Sequence, residues 1–116
     1  MKKSILLVVI LFLSACANTA KYKNSTDRHY VVVDVEITDV DKYDKFLALE
    51  VPILKNYDAF VSMDLRSENQ KKRYIVISFP DKESVGAFVK SDEFQKILPM
   101  NKASSSSKIF HGKLHK

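Results

Sequence analysis

Six polar side chains have the types that bind a small polar ligand or move a proton. They are Asp34, Glu36, Asp64, Arg66, Tyr74 and His111. A carboxylate or an imidazole can act as a general acid or base, and an arginine beside it can hold an anionic group. Asp34 and Glu36 stand about 7 Å apart on a predicted strand, close enough for each to raise the other's pKa if both are buried. The alternative interpretation is that these charges pair between subunits or lie at a solvated rim, where ion pairs contribute little.

The histidines and glycines exclude several kinds of cofactor site. On a strand, His111 and His115 lie roughly 13 Å apart, too far to share a zinc ion that is held at about 2 Å. Strand parity places His29 on the opposite face from His111. Gly86 and Gly112 are the only two glycines, and they cannot build a dinucleotide-binding fingerprint or a P-loop. The sequence therefore predicts no metal site and no cofactor.

Nucleophilic catalysis and nucleic-acid binding also have little support. No serine lies in a Gly-x-Ser-x-Gly turn, and the single cysteine, Cys16, cannot form an internal disulfide or a cysteine-rich zinc site. The formal net charge is +5 and includes the cluster Lys71-Lys72-Arg73. Because that cluster falls at the tip of a predicted hairpin, we interpret it as a solvated turn, with anionic lipid head groups as the alternative contact. We expect no nucleic-acid partner.

Hydrophobic periodicity predicts the elements that must position these side chains. Alternating apolar residues predict strands over 29–37, 59–66, 73–79 and 108–114. A helical stripe that runs from Val40 to Tyr57 predicts the first helix. Thr38 and Asp41 resemble a capping box at its start, and Pro52 should kink it.

The region between the last two predicted strands reads as a second helical segment. Pro80-Asp81 begins a short helix, and Ser91 caps a further turn whose apolar face ends at Pro99. The run Ser104–Ser107 predicts a loop before the last strand.

This order of strand, helix, strand, strand, helix and strand predicts an α+β fold of the ferredoxin-like βαββαβ type. Such a fold has a four-stranded antiparallel sheet with its helices on one face. The uncovered face is expected to carry Tyr30, Val32, Asp34, Glu36, Ser62, Asp64, Arg66, Tyr74, Val76, Ser78, Ile109 and His111. A half-apolar face of this size is normally covered, most simply by a second copy related by a two-fold axis, so we expect a homodimer.

The N-terminus has the order of a secretory signal. Lys2 and Lys3 precede an unbroken apolar run of nine residues, 5–13. Nine helical residues extend about 14 Å, roughly half of a bilayer's hydrocarbon core, so the run is too short to span a membrane. The next residues, Leu13-Ser14-Ala15-Cys16, resemble a bacterial lipobox. This resemblance implies cleavage before Cys16 and acyl chains on its thiol and new amino group; the alternative is an ordinary signal peptide with an incidental cysteine.

We therefore expect three regions in the chain. They are a lipoprotein-type signal peptide over 1–15, a lipid-anchored Cys16 with a polar tether over 16–28, and a folded domain over 29–116. The membrane is then a partner through the anchor, and the protein belongs to the cell envelope. Ala17, in place of an aspartate, implies sorting to the outer membrane, facing the periplasm, if the host has two membranes.

Two runs in the folded domain resemble a known family. VVVDVEITDVDKYDKF begins the domain and YIVISFPDKESVGAFVKSDEFQKILPM lies towards its end; both are similar to the small bacterial family named domain of unknown function 1330. The resemblance covers about residues 29–114 and is most specific at 36–39 and 79–94. Asp58-Ala59-Phe60 departs from the glycine-bearing turn that is more usual in the family. The resemblance implies a dimeric α+β barrel, and no general activity is established for the family.

These observations predict a lipid-anchored envelope protein whose dimer binds a small molecule or a partner without catalysis. The alternative is a small enzyme, resembling other dimeric α+β barrels, with monooxygenase- or isomerase-like acid/base chemistry on the open sheet face. In that case Asp34, Glu36, Tyr74 or His111 would act as acid or base. A third hypothesis is a structural component of the envelope.

Overall fold

The computed structural model describes residues 26–115, which form seven elements. In chain order they are β1 (His29–Ile37), α1 (Val40–Lys55), β2 (Phe60–Arg66), β3 (Lys72–Phe79), α2 (Lys82–Lys90), α3 (Asp92–Ser104) and β4 (Ser105–Gly112). The expected signal peptide, the lipidation at Cys16 and most of the tether lie outside the described residues. Within residues 26–115, no helix is long and apolar enough to cross a membrane.

The four strands form one antiparallel sheet in the order β2-β3-β1-β4. The two central strands are rich in valine and isoleucine, whose branched side chains favour a pleated, half-buried surface. Alternate residues of β1, namely Val31, Val35 and Ile37, are buried against the helices. The predicted α+β, ferredoxin-like fold with a four-stranded antiparallel sheet is therefore confirmed.

Aromatic rings join the three helices to the sheet. The ring of Phe88 lies 4.5 Å from that of Phe94 and 5.7 Å from that of Phe79, measured between centroids. Phe46 on α1 contacts Phe94 on α3 at 6.3 Å in an edge-on arrangement. Such pairs contribute about 0.5–1.5 kcal/mol each beyond the area that they bury, so they hold the helices at a defined position over the sheet.

The N-caps of the helices follow the sequence closely, with one difference. Asp81 caps α2 and Ser91 caps α3, as predicted. The N-cap of α1 is Asp39, whose carboxylate accepts a hydrogen bond from the backbone N–H of Lys42 at 3.1 Å. The predicted capping box at Thr38 is wrong because the carbonyl of Asp39 accepts the first intrahelical hydrogen bond, so that Thr38 lies one residue before the cap.

Neither proline ends its helix. α1 continues through Pro52 to Lys55, and α3 continues through Pro99 to Ser104, so the predicted end of the second helical segment at Pro99 is wrong. Both prolines are exposed. Water can therefore satisfy the carbonyl that loses its intrahelical partner, which lowers the penalty of a proline inside a helix.

The predicted serine loop over 104–107 does not exist. Ser104 is the fully buried last residue of α3, and its hydroxyl donates to the carbonyl of Met100 at 2.7 Å. Ser105, Ser106 and Ser107 are the first residues of β4, where they pair with the end of β1. The ladder supplies partners for the backbone groups of these residues, and this outweighs the absence of an apolar pattern.

The sides of β2 and β4 differ from the predicted ones. Paired residues of antiparallel strands project to the same side of the sheet. A bulge between Val61 and Met63 shifts the register of β2, so that Asp64 pairs with Ile75 on the helix-covered side, and Arg66 pairs with Arg73 there.

On β4, the predicted parity was inverted. Ile109 pairs with Val33, and His111 pairs with Val31, so both project to the helix-covered side. The expectation that Asp64, Arg66, Ile109 and His111 lie on the uncovered face is therefore wrong. Apolar alternation within one strand does not specify its parity relative to a neighbour, which is determined by the pairing register.

The uncovered face is more apolar than the sequence predicted. The register places on it Tyr30, Val32, Asp34, Glu36, Met63, Leu65, Lys72, Tyr74, Val76, Ser78, Ser106, Lys108 and Phe110. Four large hydrophobic side chains among these are exposed, namely Met63, Leu65, Tyr74 and Phe110. We call this surface the open face.

Candidate functional site

The six side chains predicted to form a candidate pocket do not come together. Asp34, Glu36 and Tyr74 lie on the open face, as expected, whereas the other three lie on the helix-covered side. Glu36 forms a long, exposed ion pair with Lys72, at 3.9 Å. On this geometry the six residues are divided between the two faces of the sheet.

Asp64 and Arg66 belong to an ion-pair network at the β2 edge. Arg66 Nη2 lies 2.7 Å from Asp64 Oδ2, and this hydrogen bond is the main reason why the pKa of Arg66 is raised. Nearby, Arg73 Nη1 lies 2.7 Å from Asp44 Oδ1. Arg73 is fully buried, so the predicted solvated turn at Lys71-Lys72-Arg73 holds only for its two lysines.

His111 contacts His29, which the sequence placed on the other face. His29 Nε2 lies 3.2 Å from His111 Nδ1, within hydrogen-bond distance. Burial lowers the pKa of His29, and the charges of His111 and Lys113 lower it further. Within residues 26–115, no group of three or more His, Cys, Asp or Glu side chains is arranged to hold a metal ion.

A cavity of about 440 Å³ lies between the helices and the covered side of the sheet. Its interior is lined by apolar side chains from β1, β3, α1 and α3, which are Val33, Ile75, Ile77, Phe46, Leu47, Phe94 and Leu98. Its polar lining consists of Tyr43, Glu50, Asn101, Lys102 and Ser105–Ser107. A mostly apolar cavity with a few polar groups is the usual form of a small-molecule site.

Glu50 is the carboxylate buried in this cavity. Glu50 lies within the apolar stripe of α1, one turn after Phe46 and one turn before Leu54. Only 6% of the residue is exposed. Within residues 26–115, no hydrogen bond or ion pair involves the Glu50 carboxylate. Burial raises the pKa of Glu50 to about 7, because an ionised carboxylate is poorly solvated there.

Tyr43 lines the same cavity, two turns before Glu50 on α1. Burial raises the pKa of its phenol, and the negative charge of Glu50 raises it further. The Arg73 guanidinium lies over the Tyr43 ring, 5.5 Å from its centroid. Tyr43 therefore keeps its proton throughout the physiological range and can only act as a hydrogen-bond donor or neutral acceptor.

The sequence contained a signal for Glu50 that the prediction did not use. Residues 43, 46, 47, 50, 53, 54 and 57 share one helical face, and Glu50 is the acidic member of that otherwise apolar or aromatic stripe. A carboxylate at a core position is rarely fully buried without a partner. Such an exception indicates a functional group.

A carboxyl group with a pKa near 7 beside a neutral phenol in an apolar cavity is suited to proton transfer. At neutral pH, comparable fractions of Glu50 are protonated and ionised, so the residue can accept or return a proton. The open face has a smaller recess, of about 340 Å³, beside Asp34 and Glu36, but neither carboxylate is buried there. The candidate site is therefore the cavity.

The comparisons with known proteins agree with the fold. The family described as "Domain of unknown function (DUF1330)" matches residues 28–111, which confirms the resemblance. No curated protein shows significant similarity to the sequence.

Three solved structures are similar in shape. SnoaB from Streptomyces nogalater, described as a cofactor-independent oxygenase, has a TM-score of 0.67 at 15% identity, over 78% of this chain and 95% of that one. A protein of unknown function from Rhodopseudomonas palustris has a TM-score of 0.68 at 7% identity, over 88% and 93% of the two chains. A conserved protein from Bacteroides thetaiotaomicron, described as a possible oxidoreductase, has a TM-score of 0.57 at 10% identity, over 78% of this chain and all of that one. At these identities the likeness establishes the fold alone.

Proposed function

We propose, from the premise that this chain belongs to the DUF1330 family, that it is a small enzyme that performs acid/base chemistry on an apolar substrate. The observation that carries the proposal is the burial of Glu50, with a pKa of about 7, in the cavity between helices and sheet. The proposed site differs from the open face on which the sequence placed such chemistry. Catalytic groups commonly have pKa values near the working pH.

The chemistry follows from the states of the two polar groups. The ionised Glu50 carboxylate accepts a proton from a weakly acidic C–H or O–H bond, and the electron pair of that bond stays on the substrate. The Tyr43 hydroxyl, which keeps its own proton, can donate a hydrogen bond to the oxygen on which the negative charge collects. The apolar lining leaves both groups poorly solvated, which strengthens their interaction with the substrate.

Two overall reactions share this first step. An isomerase-type reaction returns the proton from Glu50 to another atom of the substrate. A monooxygenase-type reaction uses molecular oxygen: a CH₂ group and O₂ give a C=O group and water, so one oxygen atom enters the substrate and the other leaves in water. The descriptions of SnoaB as a cofactor-independent oxygenase and of the Bacteroides protein as a possible oxidoreductase support the second reaction.

The test is isotope exchange in the cavity. The protein is incubated in D₂O with a panel of 1,3-diketones and hydroxynaphthalenes, which are carbon and oxygen acids, and deuterium uptake and oxygen consumption are measured. We expect Glu50→Gln to lower deuterium uptake at carbon by about 10²–10⁴-fold, the usual contribution of a general base. Glu93→Gln, which changes an exposed carboxylate on α3, is the matched control and should leave the rate unchanged. Binding of these compounds without exchange or oxygen uptake would support the non-catalytic binding protein instead.

We also propose that the protein is a homodimer assembled through the open face. The exposed side chains of Met63, Leu65, Tyr74 and Phe110 support this, because adjacent apolar groups of this size are normally covered. In a dimer with a two-fold axis, the open face of one copy packs against the open face of the other, so these side chains are covered in both copies.

The cellular location remains the proposal made from the sequence. A lipidated Cys16 would hold the protein in the cell envelope, on the periplasmic side of the outer membrane in a host with two membranes. Substitution Cys16→Ser should move the protein from the membrane fraction to the soluble fraction. An unchanged membrane fraction would refute the anchor.

A further inference from the structure

We propose that the mouth of the Glu50 cavity docks on the lipid bilayer, so that apolar substrates pass from the membrane into the site. This inference rests on the proposed function, because it assigns a source and a class of substrate to the same cavity. The class is a weakly acidic molecule that partitions into lipid. Four features support it: apolar exposure at the mouth, two lysines without ion pairs at or beside it, the contrast with the open face, and the position of Cys16.

The mouth of the cavity is formed in part by exposed apolar side chains. Val89, at the end of α2, and Ile109, on β4, both line the cavity, and they are 44% and 60% exposed. A cavity for water-soluble ligands does not need apolar side chains outside its opening. Exposed apolar groups that surround an apolar cavity indicate a contact with another apolar phase or surface.

Two lysines lie at or beside the mouth. Lys102 lines the cavity, and Lys90 follows Val89 directly. Within residues 26–115, neither lysine forms an ion pair. Anionic lipid head groups attract such lysines, each of which strengthens binding about fivefold near the surface.

The open face fits a bilayer less well. It carries the carboxylates of Asp34 and Glu36 and also the lysines Lys72 and Lys108, so its charges balance. Anionic head groups therefore gain no net attraction from it. In the proposed dimer, the open face is moreover covered by the second copy. The cavity mouth is on the other side of the sheet, and it is left free.

The position of Cys16 brings the domain close to lipid. Twelve residues separate it from His29, the first residue of β1. Twelve residues span at most about 42 Å even when fully extended. A domain anchored at Cys16 therefore stays near the bilayer, where even weak contacts through the mouth are sufficient.

The experiment uses the absence of tryptophan from the sequence and the single thiol. A chain that begins at Cys16 keeps every element of the fold, and its thiol is coupled to maleimide lipids in vesicles of phosphatidylcholine with phosphatidylglycerol. Ile109→Trp places one fluorophore at the mouth, and Leu65→Trp places one on the open face as the matched control. Brominated acyl chains then quench any tryptophan that enters the bilayer.

We expect blue-shifted and quenched emission from the Ile109→Trp protein, and unquenched emission from the Leu65→Trp protein. Lys102→Gln should weaken the quenching severalfold at low salt, whereas Lys71→Gln, in the distant hairpin loop, should not. Quenching of the Leu65→Trp protein, or of neither protein, would overturn the proposal. A blue shift in the Ile109→Trp protein that depends on protein concentration without vesicles would also overturn it, since a second copy would then cover the mouth.

The failure of this inference can be told apart from the failure of the proposed function. If Glu50→Gln abolishes deuterium exchange but leaves the quenching unchanged, the enzyme function and the membrane docking are both supported. Exchange by the wild-type protein without quenching overturns the docking and leaves the enzyme. Quenching without exchange supports the docking and refutes the enzyme.

Discussion

The imidazole rings of His29 and His111 join the first and last strands of the sheet, with Nε2 of the former 3.2 Å from Nδ1 of the latter. One ring must donate the hydrogen bond and the other must accept it. When both rings are protonated, neither nitrogen can accept, and two positive charges face each other. The hydrogen bond between the two rings therefore depends on pH.

The stability of the protein should fall as the pH is lowered through the range in which His29 titrates. The pKa of His29 is lower in the folded protein than the ordinary value of 6.5, mainly because the ring is buried. Below pH 6.5, the unfolded chain therefore binds more protons than the folded one, and the free energy of unfolding decreases until the pH reaches the folded pKa.

Urea unfolding of the wild-type and His29→Gln proteins between pH 8 and pH 5 measures this effect. Glu50 titrates in the same range with the opposite sign, so the difference between the two proteins is the relevant quantity. The free energy of unfolding of the wild-type protein minus that of His29→Gln should decrease as the pH falls. His115→Gln, which changes an exposed ring, is the control and should follow the wild-type curve. A difference that does not vary with pH would refute the role of His29.

The buried ion pair of Arg73 and Asp44 leads to a second prediction about stability. Its guanidinium is fully buried, bonds to Asp44 at 2.7 Å and to the carbonyl of Gln70 at 3.0 Å, and leaves Nη2 as a buried donor without a partner. Removal of the Asp44 charge leaves a buried cation with one fewer partner. Because Asp44 itself is partly exposed, we expect Asp44→Asn to lower the free energy of unfolding by about 1–2 kcal/mol.

The same measurement on Asp64→Asn provides the comparison. Asp64 pairs with Arg66, which is partly exposed, so its loss should cost less than about 1 kcal/mol. If the two substitutions have equal effects in urea unfolding, the burial of Arg73 does not matter to stability.

The sequence was sufficient for the elements whose signals are local. The alternation of β1 and β3 and the caps at Asp81 and Ser91 depend on neighbouring residues, and they are observed as predicted. Ser105–Ser107 lack any apolar pattern, and only pairing with β1 makes them a strand. No local signal could have identified them.

The candidate site was harder to predict, because it depends on which side of the sheet each strand presents. A single bulge near Ser62 moves Asp64 to the helix-covered side, and the register of β4 does the same for His111. These displacements result from pairing between residues that are distant in the sequence. The periodicity within one strand carries no information about that pairing. Glu50, by contrast, could have been found from its place in the apolar stripe of α1.

Glu50 should make the folded protein less stable at high pH. Its pKa rises from 4.5 to about 7 on folding, so the native state binds an extra proton between these values. The free energy of unfolding therefore gains from this proton below pH 4.5, and the gain is lost as the pH rises through 7. A shift of this size corresponds to about 3 kcal/mol.

Glu50→Gln removes this dependence. Relative to the wild-type protein, its free energy of unfolding should increase by about 3 kcal/mol between pH 4 and pH 8, as measured in urea. The effect of His29 is common to both proteins and cancels. Glu93→Gln should show no such trend, because Glu93 is exposed. A constant difference would mean that Glu50 titrates normally and is not the proposed base.

The open face predicts how the protein assembles. Phe110 is 67% exposed and lies at the β4 edge of that face, whereas its neighbour Ile109 projects to the other side of the sheet. A charge at position 110 would have to be desolvated in the proposed dimer, so Phe110→Glu should raise the dimer dissociation constant by at least about tenfold.

Ile109→Glu is the matched control, since it places the same charge one residue away on the face that the dimer leaves free. Sedimentation equilibrium at several concentrations distinguishes the two variants: we expect a dimer for the wild-type and Ile109→Glu proteins and a monomer for Phe110→Glu. A dimer that survives Phe110→Glu but is lost with Ile109→Glu would place the interface on the helix-covered side, at the mouth of the cavity.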